Sequence, residues 1–210
     1  MRPPPLVALT PGELDERTAR TWLASLESLF AAGWRGVVLR EFRLGDRSYL
    51  DLARAVRNVW PRDAGGWLCV HDRAHLASES DADAVQLSGA SLTPALVRPW
   101  LDARCSIGLS THAEDATERW AGADWIVHGP VQRTSKPHAR EPVGWSGLSA
   151  AVERSPAPVW ALGGLAPEHV AQARACGAAG VAVWSGVFGS ADPLAAAAKY
   201  LQAWRSAPGA

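Results

Sequence analysis

Two apolar runs late in the 210-residue chain end in small residues: Trp160-Ala161-Leu162-Gly163-Gly164-Leu165, then Val181-Ala182-Val183-Trp184-Ser185-Gly186. Glycine lets backbone N–H groups approach an anion closely, and the start of a following helix adds partial positive charge. Gly163, Gly164, Trp184, Ser185 and Gly186 are therefore expected to cradle a phosphate. A bulky residue at Gly164 should weaken that binding with little loss of fold. The plainer alternative is that the glycines only turn the chain after a strand. In Ser110-Thr111-His112, the histidine has a side chain that takes and returns protons near neutral pH. His112 is the leading catalytic candidate; capping the next helix is the alternative. Arg40 can grip a carboxylate or phosphate with two hydrogen bonds, or simply pair with Glu41. His71 and Asp72 either touch a ligand or orient one another. His128 reads as a packed, hydrogen-bonded residue.

These residues need a scaffold that brings them to one place. Eight short apolar runs are candidate strands: Leu6–Thr10, Gly36–Arg40, Trp67–Val70, Ala84–Leu87, Ser106–Ser110, Trp125–Val127, Pro158–Leu162 and Gly180–Val183. Amphipathic stretches alternate with them, including Glu16–Ala32, Ser48–Val59, Pro94–Ala103, Ala113–Ala121, Pro167–Cys176 and Asp192–Trp204. Trp22, Leu23, Leu26, Leu29 and Phe30 recur at helical spacing. Pro94 and Pro167 sit at helix starts, and Gly33 and Gly177 at helix ends. Eight strand–helix units predict a parallel (β/α)8 barrel, one domain over residues 1–210. An open doubly wound sheet would want a Gly-x-Gly-x-x-Gly turn after the first strand, which is missing.

In such a barrel, the C-terminal strand ends face the active site. Here they form a ring of small and polar residues that includes Arg40, Glu41, His71, Asp72, Ser110, His112 and Gly129. The segment Gln132–Pro142, carrying Thr134, Ser135 and Lys136, is a candidate lid over that ring. Thr134 and Lys136 either close over the ligand or remain solvated.

Composition narrows the partners. Formal net charge is zero, with 21 basic and 21 acidic residues, which disfavours nucleic acid and charged membrane surfaces. No apolar run approaches a membrane span, and Met1–Pro5 lacks the apolar core of a signal peptide. Cys69, Cys105 and Cys176 match no metal spacing and suit a reducing, cytoplasmic setting. The eleven tryptophans are scattered, as packing residues would be.

Taken in order, Leu39-Arg40-Glu41, Val70-His71-Asp72-Arg73, Ser110-Thr111-His112, Gly129-Pro130 with Thr134, and Ala161-Leu162-Gly163-Gly164 resemble the thiamine phosphate synthase superfamily. Ala182–Phe188 completes the resemblance, which covers nearly the whole chain. The chain departs from the synthase pattern Gln-Leu-Arg-Glu-Lys, reading Val38-Leu39-Arg40-Glu41-Phe42. It has His71-Asp72 for the synthases' Asn-Asp. No carboxylate stands in Ser88–Leu92, where synthases carry one that helps hold magnesium and diphosphate. Since departure of diphosphate needs offsetting positive charge, these departures favour the superfamily's other branch, the TenI-type thiazole tautomerases. That resemblance implies an isomerase of thiamin biosynthesis acting on a small phosphorylated carboxythiazole, with His112 as acid/base. It implies neither cofactor nor metal, and a homodimer is the expected assembly. The alternatives are a synthase joining a pyrimidine diphosphate to thiazole phosphate, and a non-catalytic phosphate-ligand-binding regulator.

Overall fold

Short runs of β-branched and aliphatic residues bounded by Gly, Pro and Asp make eight strands: β1 Leu6–Leu9, β2 Gly36–Leu39, β3 Trp67–His71, β4 Ala84–Leu87, β5 Ser106–Thr111, β6 Trp125–His128, β7 Val159–Leu162 and β8 Gly180–Val183. A computed structural model describes residues 2–134 and 140–208. All eight strands run parallel and in sequence order, and the sheet closes where Val7 of β1 pairs with Ala182 of β8. The structure is thus the eight-fold barrel expected from the alternation.

The helices pack outside. They are α1 Glu16–Ala31, α2 Asp46–Val59, α3 Pro94–Val97, α4 Gly144–Arg154, α5 Val170–Ala175, α6 Ser185–Phe188 and α7 Pro193–Ser206. Asp15 caps α1 by accepting from the backbone N–H groups of Arg17 at 3.0 Å and Thr18 at 2.8 Å. Trp22, Leu26 and Leu29 of α1 and Tyr49, Leu52 and Val56 of α2 are buried against the sheet. Gly33 and Gly177 take positive φ just past α1 and α5, as helix-ending glycines do.

Three connections differ from the sequence expectation; Pro94–Ala103 is only the four-residue α3 followed by a 3-10 turn, Arg98–Trp100. Ala113–Ala121 forms only a 3-10 turn, Thr117–Trp120. Trp120 is its one large buried side chain, too little apolar surface to hold a longer helix. Conversely, α4 lies outside the amphipathic stretches named from the sequence. Gly144, Gly147 and the serines beside them mask its signal, although Leu148 and Ala151 bury one face.

Inside the barrel, three indoles fill the lower layer. Trp67 and Trp125 meet edge-on at 5.5 Å between centroids, and Trp125 and Trp160 at 5.6 Å. Glycines opposite make the room: a Cβ on Gly108 would lie 2.3 Å from Trp125 Cε2, and one on Gly180 would lie 2.1 Å from Trp160 Nε1. Among the described residues the indoles thus fill the floor, and the strand C-terminal ends are the face where barrels of this kind carry their sites.

Candidate active site

Side chains alternate along a strand, so the strand ends divide into two groups. The inward row that contains Val38, Cys69 and Trp125 continues to Arg40, His71, Gln86, Ser110 and His112, all at the mouth. The outward row faces the helices.

Glu41 and His128 belong to the outward group. Glu41 is 1 % exposed. Its Oε1 accepts from the Gly12 N–H at 3.0 Å and its Oε2 from the Leu14 N–H at 2.7 Å. The carboxylate thus pins the β1–α1 loop, with both oxygens engaged. His128 is buried near Trp120, and its Nδ1 lies 2.9 Å from Thr111 Oγ1. Burial pushes its pKa down to about 4, so it is neutral at pH 7.

Arg40 is half-buried at the rim, with its guanidinium 4.3 Å from the Phe42 ring centre. Loss of water around it lowers its pKa, partly offset by Glu41 and Asp72. His71 is buried beside it, and burial brings its pKa to about 4. Asp72 takes a left-handed conformation, φ 55°. Its Oδ1 accepts from the Ser88 N–H at 2.8 Å and from Ser91 Oγ. It thereby ties β3 to the β4–α3 loop.

Ser110 Oγ accepts from Gln86 Nε2 at 2.8 Å, leaving its own proton free for the mouth. His112 is held by Asp115, whose Oδ2 accepts from the His112 N–H at 2.8 Å and lies 3.2 Å from Nδ1. A carboxylate oxygen accepts, so His112 Nδ1 is the donor to Asp115 and Nε2 is left clear of it. Gly89 of the β4–α3 loop packs 3.8 Å away, measured from its would-be Cβ to the imidazole.

On the opposite side, Gly163 and Gly164 have φ of +100° and +65°. A Cβ on Gly163 would meet Pro130 Cβ at 2.6 Å, and one on Gly164 would meet the Arg133 carbonyl oxygen at 2.4 Å. Both glycines let β7 fit under the loop after β6. The expectation that a bulky residue at Gly164 leaves the fold intact is therefore corrected: it would displace that loop. The amides of Gly163, Gly164, Ser185 and Gly186 donate to no group among the described residues. Trp184 Nε1 donates to the Pro11 carbonyl at 3.2 Å, anchoring the indole between β8 and β1. Gly129 forms a cis bond with Pro130, and a Cβ on it would lie 2.0 Å from the Leu162 carbonyl oxygen. It acts by allowing close backbone approach. Thr134 is half-buried on this side, and Ser135 and Lys136 lie outside the described residues.

Sequence reasoning passed over Asp115 and the aromatic role of Phe42. Asp115 was detectable as an acid three residues after a candidate histidine. Phe42 registered only as a missing lysine.

Fold and site together define a β/α-barrel protein whose candidate site lies at the strand C-terminal ends. The family model described as thiamine monophosphate synthase matches residues 6–187, and the chain belongs to that family. A thiamine-phosphate synthase of Moorella thermoacetica is 34 % identical over 85 % of this chain and 86 % of its own length. One of Chloroflexus aurantiacus is 33 % identical over 88 % and 85 %. A Geobacter sulfurreducens protein bearing that name provisionally is 40 % identical over 83 % of each chain. A thiamine phosphate pyrophosphorylase from Pyrococcus furiosus has the same fold, with a TM-score of 0.79 over 95 % of each chain at 24 % identity.

These relatives overturn the tautomerase reading. They carry the synthase name across most of the chain's length, whereas that reading rested on the few positions Phe42, His71 and Ser88–Leu92.

Proposed function

We propose that the protein is a transferase of thiamine biosynthesis that joins a pyrimidine diphosphate to a thiazole phosphate, with diphosphate leaving. One observation carries this reading: the mouth has two separate anion-receptive positions. The unpaired amides of Gly163, Gly164, Ser185 and Gly186 lie at the ends of β7 and β8. Arg40 lies at the end of β2, with no hydrogen bond from its guanidinium among the described residues. Two phosphorylated substrates need two such positions. The relatives' names support the same assignment.

In this reading the amide cradle holds the thiazole phosphate and Arg40 pairs with the diphosphate. Ser110 donates a hydrogen bond to the bound pair. His112, held by Asp115, offers Nε2 for a hydrogen bond to the bound pair, since displacement of diphosphate by a ring nitrogen transfers no proton.

Synthase-type chemistry implies magnesium near the departing diphosphate. Asp72 Oδ1 already accepts from two groups of the β4–α3 loop, and Oδ2 lies 3.5 Å from His71 Nδ1. Ser88–Leu92 supplies no carboxylate. Among the described residues, no group of three or more His, Cys, Asp or Glu could hold a metal ion. Such a cation ordinarily takes one or two carboxylates beside substrate phosphates; Asp72, already engaged by the β4–α3 loop, is a poor lone anchor for it, and no step here runs through one.

The test is direct. Purified protein with pyrimidine diphosphate and thiazole phosphate, in magnesium and separately in chelator, should form the joined phosphate and release diphosphate at a rate of order 1 per second. No product above the protein-free control would reject the transferase. Binding of thiazole phosphate without turnover would instead support the regulatory alternative, which Phe42 at the synthase lysine position favours.

A further inference from the structure

The outer coat of the barrel is thin on one side. The β3–β4, β4–β5 and β5–β6 connections carry only the 3-10 turns Ala74–Leu76, Arg98–Trp100 and Thr117–Trp120 and the four-residue α3. Elsewhere α1, α2, α4 and α7 run eleven to sixteen residues each. On the thin side the β4–β5 connection is apolar on both its faces. Pro94 and Val97 are buried on the inner face. Leu92, Leu96 and Trp100, spaced four apart on the outer face, are 50 %, 58 % and 73 % exposed. Five large apolar side chains are exposed among the described residues, and these three share one strip. A helical segment that is apolar all round belongs in an interior, so the outer row calls for a covering surface.

Beside Trp100 the surface is hollow. A groove runs between the β3–β4 connection and the residues leading into β5, with the buried Ala77, Ala82 and Cys105 at its floor and the Trp100 indole as one wall. The alanines keep the floor low and apolar. Asp102 and Arg104 stand at the groove's edge, both well exposed and 3.5 Å apart. A projecting indole, a hollow, an acid and a base thus lie together on one small face.

Those features name the occupant. A two-fold contact brings a surface patch against itself, so each feature must find its complement within the same patch. The indole has the hollow, and the acid has the base. With 21 basic and 21 acidic residues, the formal net charge is zero, and two copies meet without net repulsion. We propose that two copies of the chain pair through this face about a two-fold axis. Each Trp100 seats in the groove of the other copy. Asp102 of each copy faces Arg104 of the other, and Leu92 and Leu96 extend the apolar contact along α3. Tryptophan at the centre of a patch, ringed by polar side chains, is the usual arrangement of an interface anchor. The pairing makes no use of the barrel mouth and holds whichever reaction is run there.

Sedimentation of the full chain over a concentration series tests the pairing. Wild type should sediment as a dimer with a dissociation constant in the micromolar range or tighter. Trp100→Glu should weaken dimerisation about thirty-fold or more, the scale of losing an aromatic anchor. The side chain is exposed, so circular dichroism and the melting curve of the variant should match those of wild type at a concentration where both are monomeric. A wild type that stays monomeric at about 0.1 mM, well above that range, overturns the proposal and leaves the strip to a different protein. A Trp100→Glu dimer as tight as wild type also overturns it, since the copies would then meet through another face.

A charge exchange tests the two-fold geometry itself. Asp102→Arg makes both edge positions basic, and Arg104→Asp makes both acidic. Each variant alone should dimerise at least about ten-fold more weakly than wild type, because like charges then face one another across the axis. An equimolar mixture of the two should form a heterodimer with an affinity within about three-fold of wild type, since every basic residue again faces an acid. Variants that each dimerise as wild type does, or a mixture that recovers no heterodimer, would overturn the assigned pairing.

Discussion

Replacing Glu41 with alanine tests whether this residue anchors the loop or serves the ligand. The carboxylate is buried, and each oxygen accepts one backbone N–H, from Gly12 at 3.0 Å and from Leu14 at 2.7 Å. Hydrogen bonds to a charged group contribute about 1.5–3 kcal/mol each, and a buried donor left without an acceptor carries a desolvation penalty of similar size. Glu41→Ala should therefore lose about 3–6 kcal/mol. For a domain of this size, 1 kcal/mol moves Tm by about 2–4 °C, so the midpoint should fall by roughly 6–24 °C. Glu41→Gln keeps the shape but turns an N–H donor toward one of the two amides, so about half the loss is expected. Urea unfolding at pH 7, followed by tryptophan fluorescence, measures both variants. If both lie within about 0.5 kcal/mol of wild type, the carboxylate is not the anchor and its assignment returns to ligand binding.

Acid should destabilise the protein ahead of ordinary carboxylate titration. His71 and His128 have pKa values of about 4 in the folded chain against an ordinary 6.5, both from burial. The unfolded chain binds more protons between those values, so this stability is complete above about pH 6.5 and is lost as pH falls toward 4, about 3 kcal/mol for each histidine. His128→Gln should remove roughly half of that dependence in urea titrations run between pH 4 and 7. Gly164→Val should lower Tm by several degrees before any ligand is added, because its Cβ meets the Arg133 carbonyl; an unchanged melting curve would contradict the packing described. His112→Asn should lower turnover about ten-fold with thiazole phosphate affinity preserved, the scale of one lost hydrogen bond. A change under three-fold in steady-state rate would remove His112 from the reaction.

The chain order of apolar runs and helix punctuation is enough to specify the barrel. Runs such as Ala84–Leu87 and Gly180–Val183 match β4 and β8 residue for residue. Strand ends, and with them the ring of candidate residues, follow from that alternation, because a parallel barrel has one open face. What each residue does there was a tertiary matter. Arg40 and Glu41 are adjacent and both polar, yet one reaches the mouth and the other pins the β1–α1 loop, since consecutive strand residues point to opposite sides. The Gly163 and Gly164 signal was legible as small residues after a strand. Only the packed structure identified the β6–β7 loop as the neighbour that requires them. Phe42 reads in sequence as a charge that is absent; in three dimensions it is an exposed ring braced by Arg40 and His71, groups that meet only when β2 and β3 pair. Local pattern sets elements because periodicity and propensity act over a few residues. The partners of a side chain depend on strand register and loop course, which join residues far apart in the chain.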